Sequence, residues 1–442
     1  MAETRAVSAG PITHARVVRL AFPIVLSNAT VPLLGAVDTG VVGQLGAAAP
    51  IGAVGIGAVI LTGLYWVFGF LRMGTTGLTG QAHGAGRSGE VAAMLTRALM
   101  IGLAAGAGII ALQGPLFAGA FRLSPASAEV EGLARDYMAI RVWSAPALIA
   151  LYGITGWLVA LERTRAVLVL QLWMNGLNIV LSILLGLKLG WGLEGVAWAT
   201  FIAEWGGLAL GFWLCREAFR VPAWRDWPRV FDRAALLNMA TVNRDILLRS
   251  LMLQVIFVSF MLKGGDFGNV TLAANQVLIQ FLNITAYAMD GFAFAAEALV
   301  AQAFGARDRT RLRRAAVVTA QWALVSNALL ALVFALMGGT IIDVMTTAPE
   351  VQDAARNYLP YMVAAPILGI GAWMFDGIFI GATRGADMRN MMAVSLLAYI
   401  LAAIALIPAL GNHGLWIALL ISFVARGITL GLRYPALERA AS

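Results

Sequence analysis

The chain has 442 residues, of which 60% are hydrophobic and only 12% charged, with a mean hydropathy of +0.82. A soluble domain carries roughly 25% charged residues, and one of this composition would expose apolar patches large enough to aggregate, so the chain reads as a polytopic helical membrane protein. The formal charge of +8, from 29 Arg and two Lys against the acids, invites a nucleic-acid reading that the placement of those arginines excludes.

Taking about 20 apolar residues as one bilayer crossing, twelve spans are predicted. Six lie near 17–42, 47–71, 92–120, 134–160, 166–187 and 193–214, and six near 244–263, 270–297, 314–338, 355–381, 390–410 and 414–432. The apolar stretch that opens near Val17 is too long for a signal-peptide core and is expected to stay as a span. Glycine is abundant, at 48 residues, as in transmembrane helices that pack closely through small side chains. Cys215 is the only cysteine, so neither an intramolecular disulfide nor a cysteine metal cluster can form.

The joins alternate in charge. Arg87 and Arg97, Arg163 and Arg165, Arg307 through Arg314, and Arg384 and Arg389 follow even-numbered spans. So does the longest polar stretch, 215–243, with Arg216, Arg220, Arg225, Arg229 and Arg233. Joins after odd-numbered spans carry Glu129, Glu131, Asp343, Glu350 and Asp353, with Lys188 and Lys263. By the positive-inside rule the even joins and both termini are cytoplasmic; the positive charge is a topology signal, and no nucleic-acid partner is expected. The predicted organisation is an amino-terminal six-helix lobe (1–214), a cytoplasmic linker (215–243) held at the interface by Trp224, Trp227 and Pro228, and a carboxy-terminal six-helix lobe (244–442).

The lobes are copies. Gln81-Ala82-His83-Gly84-Ala85 returns 221 positions later as Gln302-Ala303-Phe304-Gly305-Ala306. The same offset carries Val130, Ala134, Arg135 and Tyr137 onto Val351, Ala355, Arg356 and Tyr358, and Gly190 and Ala197 onto Gly411 and Ala418. One ancestral unit is used twice in tandem. A duplicated multi-span protein is read as a transporter, because two similar bundles can enclose a site that opens to either side.

Ionisable groups inside spans are costly and mark functional candidates. Asp38 lies in span 1 with no basic residue near it in sequence, and its repeat-mate Ser259 cannot replace it as a proton carrier. Asn175, Asn178 and Ser182 in span 5 share one helix face, as partners for a carboxylate or as polar contacts between helices. Thr200 in span 6 and Tyr137 in span 4 are weaker signals of the same kind. In the second lobe Asp290 and Glu297 share a face of span 8 and Asp376 lies in span 10, with Arg249 of span 7 available to neutralise one of them. These acids are either transport groups or structural ion pairs. Glu204 falls within one position of Arg426 in the repeat alignment, and a static pair is expected there.

Signals for an enzyme are poor. Neither lysine follows a glycine, which excludes a phosphate-binding G-x-x-x-x-G-K loop. His14, His83 and His413 all fall in joins or at span edges. Gly86-Arg87-Ser88-Gly89 matches a serine-protease pattern, but in a join with no in-span histidine it reads as a turn.

Several separated motifs resemble the multidrug and toxic compound extrusion (MATE) family across essentially the whole chain. Pro23 and Asp38 sit in span 1 within Phe22-Pro23-Ile24-Val25-Leu26-Ser27 to Val37-Asp38-Thr39. Asn243-Arg244-Asp245-Ile246, Leu248-Arg249-Ser250-Leu251, Ala286-Tyr287-Ala288-Met289-Asp290-Gly291-Phe292-Ala293 and Asp376-Gly377-Ile378-Phe379-Ile380-Gly381-Ala382-Thr383-Arg384 resemble its DinF branch. The resemblance implies a V-shaped, all-α pair of six-helix lobes, alternating access, and export of amphipathic compounds against inward proton or sodium flow. By position it makes Asp38 the coupling acid and Pro23 the bending point of span 1, and places Tyr137, Asn178 and Thr200 in an amino-terminal-lobe site. Where many members have an aspartate, this chain has Ser182, and Asp376 matches a carboxy-terminal-lobe acid whose usual glutamate partner in span 7 has no clear equivalent. A single well-placed carboxylate favours a proton over sodium. The expectation is a monomeric proton-coupled antiporter of the bacterial cytoplasmic membrane, without cofactor or metal, taking cationic or neutral amphipathic substrates. A flippase for lipid-linked precursors and a sodium-coupled antiporter are the alternatives.

Overall fold

The computed structural model describes residues 10–44, 48–123 and 127–441, with the backbone alone for 33–36, 39, 48 and 123. Among these residues every regular element is helical. In chain order α1 (His14–Ala29), α2 (Val31–Gly43), α3 (Ala48–Trp66), α4 (Phe70–Gly84), α5 (Ser88–Ala111) and α6 (Gln113–Leu123) are followed by α7 (Ala128–Arg141), α8 (Ala145–Ala160), α9 (Thr164–Leu181) and α10 (Gly192–Leu214). The short α11 (Arg216–Arg220) and α12 (Trp227–Val230) lead to six long helices: α13 (Arg233–Gly265), α14 (Asn269–Gly305), α15 (Arg309–Met345), α16 (Pro349–Gly381), α17 (Gly385–Leu410) and α18 (Asn412–Arg439).

Ten helical stretches among the described residues are long and apolar enough to cross a membrane. Two further predicted spans complete the twelve: the first, divided into α1 and α2, and α10, whose Glu194 and Glu204 lower its hydropathy. The predicted start of span 2, near 47, lies outside the described residues. The helices outrun their apolar windows. The second span continues from Ala49 to Gly84 and the eighth from Asn269 to Gly305, because the polar flanks are also helix-forming and need no lipid.

The predicted linker is corrected in the same way. Its last third, from Arg233, is already the first turns of α13, and the remainder folds as α11, a 3₁₀ turn at Pro222–Arg225 and α12. This segment is clamped to α5. Buried Arg97 donates to the carbonyls of Val230 (2.9 Å) and Arg229 (2.5 Å) and pairs with Glu90, while Thr96 donates to the carbonyl of Trp224 (2.8 Å).

The described chain divides into two compact units. One comprises 26–82 and 87–236, the other 10–25, 83–86 and 237–441. The division differs from the lobe bounds read from sequence chiefly at α1, most of which, up to Val25, packs with the second unit. There Gly291 has no side chain, and a Cβ on it would lie 2.7 Å from the carbonyl oxygen of Ala21. In the same unit α14 and α16 touch through Gly377 and Gly381, where a Cβ would meet the carbonyls of Ala293 (2.7 Å) and Glu297 (2.6 Å). Small residues four apart allow this backbone approach.

The duplication is written into the backbone. Gly86 (φ 71°) and Arg307 (53°), Glu162 (59°) and Thr383 (52°), and Gly190 (72°) and Gly411 (57°) are left-handed residues, each pair separated by the repeat offset of 221. The helix ends match bond for bond. After α4 the N–H of Gly86 donates to His83 O and that of Arg87 to Ala82 O; after α14 the N–H of Arg307 donates to Phe304 O and that of Asp308 to Ala303 O. Both are Schellman terminations, which satisfy the last carbonyls of a helix with one residue in the left-handed region. The Gly86-Arg87-Ser88-Gly89 run is therefore a helix-ending turn.

Candidate functional site

In the first unit, helices α2, α3, α7, α8 and α10 bring polar side chains to a cavity of about 290 Å³. Asp38, Tyr65, Tyr137, Arg141, Tyr152, Thr200 and Glu204 line it, with apolar Val31, Val54, Ala58 and Leu148 between them. Asp38 is 8% exposed. Its carboxylate accepts from the Ser182 hydroxyl at 3.1 Å; Ser182 Oγ also lies 3.4 Å from Asn178 Oδ1, and Asn178 donates to Thr200 Oγ1 at 2.7 Å. Thr200 in turn donates to the Val196 carbonyl at 3.1 Å. A continuous chain of neutral polar groups therefore runs from the carboxylate into the α9–α10 contact. Ser182 ends α9 and opens a π-helical stretch, Ser182–Lys188; such widened turns are frequent at functional sites.

A second network lines the same cavity. Arg141 donates to Glu204 (3.1 Å) and to the Tyr137 hydroxyl (2.7 Å), and the Tyr65 hydroxyl donates to the Arg141 carbonyl (3.2 Å). Among the described residues no arginine or lysine lies at ion-pair distance from Asp38, although Arg141 lines the same cavity. The two lining acids and one lining arginine leave one negative charge when all three are ionised.

In the second unit Asp376 of α16 meets two buried arginines, Arg249 of α13 in direct contact and Arg426 of α18 at 3.7 Å, both on oxygen Oδ2. Asp245 is held by Arg389 (2.7 Å) and Arg244 (3.2 Å). Asn275 binds Asn412 and Trp416 through hydrogen bonds of 2.8–2.9 Å. Ser259 and Tyr399, repeat-mates of Asp38 and Asn178, hydrogen-bond to each other at 3.3 Å. In the first unit the same two positions are bridged by Ser182, and only there is one of them an acid.

The MatE family model matches twice, over residues 23–184 and 246–408. The chain belongs to the MatE family. It is 39% identical over 412 residues to DNA damage-inducible protein F of Escherichia coli (strain K12), covering 93% of this chain and 90% of that one. It is 26% identical over 429 residues to a probable multidrug resistance protein NorM of Synechococcus, covering 90% and 89%. The solved structure of the Vibrio cholerae MATE transporter VcmN in a bent form superposes with a TM-score of 0.85 at 21% identity, covering 97% of each chain. This MatE protein is thus a multi-pass membrane transporter of the DinF type, not an enzyme.

The fold brings Asp38, Asn178, Ser182 and Thr200 into one hydrogen-bonded chain and sets Tyr137 on the same cavity through Arg141. Asn175 goes elsewhere, donating to Thr30 Oγ1 at 2.8 Å. Pro23 lies inside α1, and the interruption of span 1 comes at Thr30, where Pro32 follows in the first turn of α2. Proline is tolerated there because the first helical N–H groups have no partner to lose. The expected pairing of Glu204 with Arg426 is corrected: Glu204 pairs with Arg141, and Arg426 stands on Asp376. Asp376 is the acid that Arg249 neutralises, while Glu297 is buried and Asp290 half-buried on α14. Arg141 was missed, although an arginine within the apolar 134–160 window carries the same signal that singled out Asp38.

Proposed function

We propose that this MatE protein exports amphipathic compounds, cationic or neutral, from the bacterial cytoplasm in exchange for protons carried on Asp38, with both termini cytoplasmic. One contrast supports the coupling assignment. Glu204, Asp245, Asp376 and Glu438 each face an arginine, whereas Asp38 faces the hydroxyl of Ser182. A buried carboxylate locked onto a guanidinium cannot leave it without stranding a charge. One bonded to a hydroxyl is satisfied in either protonation state, because the hydroxyl donates to the anion and accepts from the acid. With Asp38 ionised the cavity carries one net negative charge and suits a cation. Protonation from outside removes that charge, loosens cargo and lets span 1 bend, at Pro23 or at the Thr30 break; release of the proton to the cytoplasm resets the site. The cavity stands at the lower edge of ligand pockets, about 300–1,000 Å³, so larger cargo requires that movement.

The sodium-coupled reading is less well supported, since hard cations are held by several oxygen ligands and Ser182 replaces a second carboxylate. A flippase for anionic lipid precursors would want uncompensated basic groups in the cavity, and Arg141 is compensated by Glu204. The test is efflux of a fluorescent cationic amphiphile from proteoliposomes under a proton gradient or a sodium gradient. Transport should follow the proton gradient at equal sodium; transport that follows only sodium would overturn the proposal.

A further inference from the structure

The second unit carries an unbalanced charge. Arg426 is 3% exposed, yet its guanidinium, with five N–H donors, has no oxygen at hydrogen-bond distance among the described residues. Its neighbours are Asp376 Oδ2 at 3.7 Å, the thioether sulfur of Met392 at 3.8 Å and the ring of Phe423 with its centroid 5.9 Å away. Sulfur and an aromatic face are weak partners for a guanidinium. Asp376 offers both arginines the same oxygen, Oδ2, which Arg249 already contacts directly, while its Oδ1 is buried without a hydrogen-bond partner. The Nε atoms of Arg249 and Arg426 are buried without a hydrogen-bond partner. Two guanidiniums therefore share one carboxylate. The other acids of this unit do not close the balance at this point: Asp245 is held by Arg244 and Arg389, Glu438 by Arg309, and Asp290 and Glu297 on α14 have interactions of their own.

An uncompensated buried charge is strongly unfavourable, and a compact anion is the partner that removes the cost. We propose that Arg249 and Arg426 form an anion-binding site in the second unit, taking a small monovalent anion, a halide or a carboxylate, against the donors that now face Met392. Asp376 is then the group that sets the site's affinity by competing with the anion for the same guanidiniums. This is the opposite polarity to a cation site built on Asp376, and it stands independently of proton coupling at Asp38.

The test uses purified full-length protein in detergent, with thermal unfolding followed by tryptophan fluorescence in potassium chloride, bromide, acetate or gluconate at equal ionic strength. Chloride or acetate should raise the midpoint saturably over gluconate; whichever acts at lower concentration identifies the halide or the carboxylate as the better ligand. Arg426→Gln leaves the Arg249–Asp376 pair intact and should lose the anion dependence, whereas Arg426→Lys should keep part of it. Asp376→Asn frees both guanidiniums: it should be destabilised in gluconate and rescued at a roughly tenfold lower chloride concentration than wild type needs, as removal of a competing negative charge requires. Equal midpoints in all four salts would overturn the proposal. So would stabilisation that follows sodium in place of potassium and vanishes in Asp376→Asn. If Arg426→Gln fails to fold, saturable binding of isotopic chloride to the wild-type protein, displaced by bromide, decides the matter, and its absence refutes the site.

Discussion

Asp38→Asn separates the coupling role of this residue from its structural one. Asparagine keeps the size of the side chain and an oxygen that accepts from Ser182, now 3.1 Å from Asp38 Oδ1. What is lost is the charge on that acceptor. A hydrogen bond to a charged group contributes about 1.5–3 kcal/mol and a neutral one about 0.5–1.5 kcal/mol, so the substitution should cost roughly 1 kcal/mol. In a chain of this length that is a fall of about 2 °C in the unfolding midpoint, and membrane insertion should be normal. Proton-driven efflux has no such tolerance, because the exchangeable proton is gone, and it should drop to the level of empty liposomes. The assay is parallel reconstitution of wild type, Asp38→Asn and Ser182→Ala at matched protein content, with unfolding curves from the same preparations. Ser182→Ala removes one hydrogen bond and keeps the acid, so it should slow efflux without abolishing it. Full proton-driven efflux by Asp38→Asn would refute the coupling assignment, and a collapse of its unfolding midpoint would show that Asp38 is a structural group.

Glu204→Gln leaves Arg141 buried without its counter-charge and should destabilise the protein by about 3–5 kcal/mol; the double variant Arg141→Gln, Glu204→Gln should recover much of the loss in unfolding curves. A non-glycine residue in the left-handed region costs about 1–2 kcal/mol, so Arg307→Gly should raise stability by roughly that amount and Gly86→Ala, its repeat-mate, should lower it; no change in either would break the equivalence of the two turns. Burial pushes the Cys215 thiol up to about 12, so below that pH it is protonated as well as covered. Folded wild-type protein should resist maleimide at pH 7.5 and react once unfolded. On that unreactive background, a cysteine replacing Arg229 should be closed to an impermeant reagent added to intact cells and one replacing Glu350 open to it; the reverse labelling would invert the topology.

Much of this protein was legible because a bilayer imposes local rules. Apolar length marks a crossing wherever the partners of that helix lie. The 221-residue echo was equally local, and its reason is visible in the paired left-handed turns at 86 and 307 and at 162 and 383. The i, i+4 spacing of Asn178 and Ser182 put them on one face before any packing was known. What that face meets, and which charge answers which, depends on helices far apart in the chain. Ser182 reaches Asp38 across 144 residues, Arg141 reaches Glu204 across 63, and Arg249 reaches Asp376 across 127. Hydropathy contains no term for such pairings, and the expected pair of Glu204 with Arg426 failed because nearness in the repeat alignment is not nearness in space: each meets a charge of its own unit, Arg141 and Asp376. The sequence alone therefore determined the spans and the duplication. Tertiary packing decided that Asp38 keeps a neutral partner while Asp376 answers two arginines, since a buried charge is matched by whatever group the fold brings within a few ångströms of it.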